Sequence, residues 1–352
     1  MLASSHAPRV SQQYAPGADM QCAAIGVARR RRCTRGPRVH AAAAASEQGS
    51  EAGAACEKTW TWRGHRISYE VHGPPNGPPV VISHGFGSNA RHFRKLTTAL
   101  GAAGFAVYAP DLLGFGDSDK PSGCAYNPSL WAAQQAAFLH EVVPAPAVLV
   151  GNSIGSQVAV VTAAEAPERV KGLLLLNVAA GMNQRGLYDD DPQLRQLKPI
   201  FLLIEWLLKK PAVARFLFDA FRSKSNVEKI LREQVYMKAE VTPDLVELLM
   251  KPAEDAGALG CFVEVFTGEP GPRPDALAPA LECPIQLLWG NRDQWTPVDG
   301  TVANAFKRLA QERPQQVRFD IIPDCGHCPF DDAPDDVLRL ALPWLRTVTA
   351  PA

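Results

Sequence analysis

Six short, uninterrupted apolar runs constrain the fold most: PVVISHG (79–85), FAVYAPD (105–111), AVLVGN (147–152), VKGLLLLN (170–177), PIQLLWG (284–290) and VRFDIIP (317–323). Runs of this kind predict central strands buried on both faces. Stretches of helical period separate several of them: NARHFRKLTTALGAAG (89–104), SLWAAQQAAFLHEV (129–142), TVANAFKRLAQE (301–312) and DDVLRLALPWLRTV (335–348). Strands alternating with helices predict an α/β chain with a mostly parallel central sheet and helices on both faces. Ahead of these, KTWTWR and HRISYEVHG alternate apolar and polar residues, as half-buried strands do, with Gly64 at the turn between them.

Two regions break the alternation. From Gly181 to Pro274 no strand pattern appears, and helical patterns such as LKPIFLLIEWLLKK, AVARFLFDAFR and NVEKILREQVY fill the space. That predicts a helical cap over residues 181–274, inserted in a core made of 57–180 and 275–352. Residues 1–56 are rich in arginine, with Asp19 the only acid before Glu47, and they carry the tract AAAAAS (41–46). They lack the continuous apolar stretch of a secretory signal. The composition predicts a transit peptide, directed to a chloroplast or a mitochondrion.

Lys+Arg and Asp+Glu both number 36, so no global field exists to hold nucleic acid. Apolar stretches such as Phe201 to Ile204 are far shorter than a membrane span. The eight cysteines are scattered through a long chain, which suggests a reducing compartment rather than a disulfide framework.

The chemistry concentrates in Gly151-Asn152-Ser153-Ile154-Gly155. This G-x-S-x-G follows a strand pattern and opens a helical one, the context of a nucleophile elbow. Gly151 and Gly155 flank a sharp turn where side chains would clash. A serine nucleophile needs a base, and the base needs an orienting carboxylate. Only His327 lies after Ser153, in DCGHCPFDD just past a strand. Asp293, in WGNRDQWTP, is the expected acid; the position after VKGLLLLN holds Asn177 and no acid, and Asp324 stands too close to His327 in sequence. His84-Gly85-Phe86-Gly87 follows another strand, so the backbone N–H groups of Phe86 and Ile154 are the expected oxyanion donors, with His84 structural. Cys325 and Cys328 make a C-x-x-C around the histidine, which raises a redox reading; Pro329 follows at once, and His327 already has a task.

HGFGSNARHF, DLLGFGDSDKP, VGNSIGS, WGNRDQWTP and GHCPFDD resemble, in order and spacing, the α/β-hydrolase fold superfamily over residues 58–349. Within it, GNSIGS, LLNVAAGMNQRG, TGEPGPRPD, TPVDG and GHCPFDDAPD are most similar to the plastid group of chlorophyll dephytylases and pheophytinases, nearest the dephytylases. The resemblance implies a Ser153–Asp293–His327 triad, a carboxylic-ester hydrolase, and cleavage of the phytol ester of chlorophyll to chlorophyllide and phytol. It favours the chloroplast, in the stroma or at the thylakoid, over the mitochondrion. The partners it implies are a hydrophobic ester and a thylakoid membrane surface. The chemistry needs no metal or organic cofactor, and no metal-ligand cluster is visible. The alternatives are a hydrolase of pheophytin or another lipid ester, or a small-molecule receptor on the same fold.

Overall fold

A computed structural model describes residues 56–181 and 192–350. The transit peptide expected over 1–56 lies outside these residues but for Cys56. Eight strands form one sheet: β1 (Cys56–Trp62), β2 (His65–His72), β3 (Pro79–Ser83), β4 (Ala106–Pro110), β5 (Ala147–Ser153), β6 (Val170–Val178), β7 (Ile285–Gly290) and β8 (Val317–Ile322). Their spatial order is β1-β2-β4-β3-β5-β6-β7-β8. β1 and β2 pair antiparallel, β2 pairs antiparallel with β4, and every other neighbouring pair is parallel. Arg63 and Gly64 make the β1–β2 turn, both at positive φ.

Successive residues of β5 explain the continuous apolar runs. Val148 and Val150 join one core layer, while Leu149 between them joins the other. The strand period of two sends alternate side chains to opposite faces, and both faces are covered. On one side lie α1 (Arg94–Ala102), α11 (Pro329–Asp332) and α12 (Pro334–Thr349). On the other lie α2 (Pro128–Glu141), α3 (Ile154–Glu165) and α10 (Thr301–Glu312). Local chemistry starts α2: the Asn127 side chain accepts the Leu130 N–H at 2.9 Å, and Pro128 occupies the first turn.

VRFDIIP departs from the expectation of a strand buried on both faces. β8 is the last strand of the order, and its middle residues are partly or fully exposed. Among the described residues no further strand pairs with β8. Its apolar content serves packing against β7, as in the stacked rings of Trp289 and Phe319.

Between β6 and β7 the described chain is helical: α4 (Pro192–Leu208), α5 (Pro211–Phe221), α6 (Lys224–Ile230), a π-helical turn at Leu231–Val235, α7 (Pro243–Met250), α8 (Ala258–Thr267) and α9 (Pro274–Leu277). Leu208, Phe218, Ala258 and Phe262 form a small apolar cluster of their own there.

Candidate active site

Ser153 ends β5 and stands directly before α3. Its backbone has φ 57° and ψ −121°, a conformation that a residue with a Cβ adopts only under constraint. The constraint comes from close packing around it. A Cβ on Gly151 would lie 2.3 Å from the Gly155 carbonyl oxygen, and one on Gly155 would lie 2.1 Å from the Ser83 oxygen. The strand therefore turns into the helix with no room for side chains beside the serine, which throws its hydroxyl out at the carboxyl edge of the sheet.

His327 sits in the loop after β8, and Asp293 in the loop after β7. The His327 Nδ1 and the Asp293 Oδ2 are 2.8 Å apart. That leaves Nε2 as the free ring nitrogen. Asp293 also accepts from the Trp295 N–H at 2.8 Å, the Thr296 N–H at 3.2 Å, the Thr296 hydroxyl and the Asn177 amide. Burial opposes its charge, but the His327 imidazole and these donors outweigh burial and hold the carboxyl below the usual range. Asp324, by contrast, is exposed on a turn at φ 50°.

The loop of His327 is pinned from three sides. Its N–H bonds the Val235 oxygen at 3.0 Å, its carbonyl accepts from the Asn152 amide at 2.9 Å, and the Gly326 N–H bonds Asp332 at 2.8 Å. Asp332 further collects the N–H groups of Met237, Lys238 and Ala239. One carboxylate thus ties the histidine loop to the segment after the π-helical turn.

Phe86, in the loop after β3, and Ile154, the first residue of α3, stand on either side of the serine. A Cβ added to Gly85 would lie 3.2 Å from the Ser153 Cβ, so the loop after β3 runs against the serine. His84 fixes that loop: its Nδ1 bonds the Gly85 oxygen at 2.8 Å and its Nε2 accepts the Leu112 N–H at 3.0 Å. Burial pushes its pKa down to about 4, so the ring is neutral.

Gly85, Phe86, Ser153 and His327 line one cavity of about 190 Å³. Its other walls are mainly apolar and come from the helices between β6 and β7, including Phe218, Phe221, Leu231 and Phe262. Ser88 and His92 line it too. They begin a buried relay that sequence reasoning missed. Asp331 is ionised at neutral pH and can only accept, so the Tyr236 hydroxyl donates to it at 2.7 Å. The Tyr236 oxygen then accepts from His92 Nε2 at 2.6 Å, and His92 Nδ1 accepts from the Ser88 hydroxyl at 2.8 Å. Asn177, noted in the sequence only as the position without an acid, has a role of its own: its amide holds Asp293 and its oxygen accepts the Gly290 N–H at 3.1 Å. Its place at the end of β6, on the same sheet edge as Ser153, was the available signal. Cys325 and Cys328 are free and buried, and burial pushes both thiols up, away from the reactive thiolate.

Residues 80–340 match the alpha/beta hydrolase family. The chloroplastic pheophytinase of Arabidopsis thaliana is 28% identical over 326 residues, covering 80% of this chain and 64% of that protein. The chain thus spans less than two thirds of that relative's length. Lipase 3 of Moraxella sp. (strain TA144) is 26% identical over 286 residues, 78% of this chain and 79% of the lipase. Among solved structures, that of a membrane phospholipase A described as a bacterial virulence factor superposes with a TM-score of 0.66 at 23% identity, covering 84% of this chain and 87% of that one. The match across most of the chain, together with the mostly parallel eight-stranded sheet, establishes that this protein belongs to the alpha/beta hydrolase family of hydrolases.

Proposed function

We propose that Ser153, His327 and Asp293 are the catalytic triad of a serine carboxylic-ester hydrolase. The observation that carries this is the strained Ser153 turn opening into the same cavity as a histidine whose Nδ1 is held by a buried carboxylate. His327 Nε2 takes the Ser153 proton while Oγ adds to the ester carbonyl carbon. The N–H groups of Phe86 and Ile154 receive the oxyanion. As the C–O bond breaks, the proton passes from Nε2 to the leaving alcohol. Water then gives a proton to Nε2 and adds to the acyl carbon, and Ser153 leaves as its hydroxyl. Asp293 stays ionised throughout and stabilises the imidazolium.

The substrate we propose is the phytol ester of chlorophyll, in a chloroplast. The apolar cavity and the chloroplastic relative support it. A volume of about 190 Å³ is below the 300–1,000 Å³ usual for ligand pockets, so it takes the ester and part of an alkyl chain and leaves a macrocycle at its mouth. Pheophytin is the second reading, favoured by the 28% identity to a pheophytinase.

Wild-type protein and Ser153→Ala, each incubated with solubilised chlorophyll a or pheophytin a, decide between them. Chlorophyllide from wild type alone supports the proposal. Faster cleavage of pheophytin moves the assignment to the second reading. Turnover of a p-nitrophenyl ester with neither pigment cleaved keeps the esterase and rejects both pigments.

A further inference from the structure

Eight of the ten large apolar side chains exposed among the described residues lie in α4 and α5. On α4 they are Leu197, Ile200, Leu202, Leu203, Ile204 and Trp206. At 3.6 residues per turn these six spread over an arc of about 220°. A helix against a protein core turns its apolar stripe inward and shows polar residues to water. α4 buries only a narrow stripe with Leu208 and Glu205, and leaves these six apolar side chains facing out. α5 continues the surface with Leu217 and with Phe216, 72% exposed. A patch of this kind marks an interaction site.

Charge indicates the occupant. Over α4 and α5, residues 192–221 hold five cations, Arg195, Lys198, Lys209, Lys210 and Arg215, against two acids, the buried Glu205 and Asp219, which pairs with Arg215 at 3.8 Å, in a chain whose formal charge is zero. Lys209 and Lys210 close the apolar face at the α4–α5 turn, and the Lys210 ammonium stands 4.6 Å over the Trp206 ring. An amphipathic indole beside an ammonium, at the border of an apolar face, suits the boundary between acyl chains and anionic headgroups. A protein partner would meet the same apolar face but would not call for a surplus of cations around it. No helix of the described residues is long and apolar enough to cross a membrane, so contact would be along the surface.

We propose that the outward faces of α4 and α5 dock on an anionic lipid bilayer, with Trp206, Leu203 and Phe216 entering the acyl region. The opposite side of α5 sends Phe218 and Phe221 into the cavity of Ser153, so docking sets the candidate active site against the lipid. The docking surface stands independently of the catalytic proposal.

Flotation of the full chain with vesicles of phosphatidylcholine and phosphatidylglycerol tests it, beside Leu203→Glu/Trp206→Glu/Phe216→Glu. The N-terminal arginines are the same in both proteins, so the difference isolates these helices. Wild type should float with anionic vesicles, less so at high salt or with phosphatidylcholine alone. The triple variant should bind about tenfold less. Equal flotation of the two, or none by wild type, overturns the proposal. So does a wild type that does not float but runs as a dimer, which the triple variant returns to a monomer. Equal melting temperatures show that the variant is folded. Hydrolysis of a soluble short-chain ester should be equal in both; its absence from both would count against the catalytic reading and leave the docking result standing.

Discussion

At Asp293 two effects of opposite sign meet. Burial raises the pKa of the carboxyl, and the imidazole with its supporting donors lowers it further than burial raises it. Asn177 is one of those donors and the only one contributed by β6. Asn177→Ala leaves the Trp295 and Thr296 bonds in place but frees one side of the carboxylate. We expect kcat on a p-nitrophenyl ester to fall about tenfold with KM little changed, since the lost contact orients the base rather than the substrate. Wild-type kinetics would reduce Asn177 to a packing role. Asp293→Asn should cost about 10⁴-fold in kcat. Because the folded pKa is lowered, ionised Asp293 stabilises the fold above the unfolded value of about 3.9, and that support fades as pH drops through the folded pKa. The melting-temperature gap between wild type and Asp293→Asn should therefore narrow below about pH 4.

Among the elements, the β5–α3 junction and the loops after β3, β7 and β8 carry the proposed chemistry, and what holds them is partly visible in the sequence. The strands were legible because apolar runs bounded by Gly, Pro, Asn or Asp have few other meanings. Ser153, Asp293 and His327 could be named because each falls just past such a run. Asp332 could not be read this way. Its four bonds are to backbone N–H groups, three of them at residues 237–239, far away in the chain. Backbone donors carry no residue identity, so no sequence pattern marks them. The exposure of β8 did have a signal in the sequence: Arg318 and Asp320 alternate with apolar residues there, as in a half-buried strand, unlike the runs of β5 and β7. Asp332→Ala leaves four N–H groups without their acceptor around the histidine loop. At about 1–3 kcal/mol for each one that stays dry, urea denaturation should show a loss of at least about 3 kcal/mol. A loss under 1 kcal/mol would mean that water replaces the carboxylate.

For the whole molecule, acid stability depends on three fully buried groups near the site. Burial lowers His84 to about 4 and His92 to about 3, and it raises Asp111 to about 6. A histidine with a lowered folded pKa resists a proton that the unfolded chain accepts near pH 6.5. Each histidine therefore stabilises the fold fully above pH 6.5 and loses that contribution as pH falls toward its folded value. Asp111 acts the other way: between pH 6 and 4 the folded protein binds its proton while the unfolded chain does not, so the fold gains. Over that window the unfolded chain carries about two protons on these three groups and the folded protein about one. The net difference of one proton gives a decline of about 1.4 kcal/mol per pH unit in unfolding free energy. Asp293 and Asp331 have lowered pKa values and act at the acid end of this range or beyond it. Urea denaturation at pH 6, 5 and 4 measures the slope. Asp111→Asn removes the opposing group and should about double the slope, while His92→Gln should flatten it. A wild type whose stability is level across the window would show that these groups do not keep their burial, and would overturn the neutral state assigned to His84 and His92.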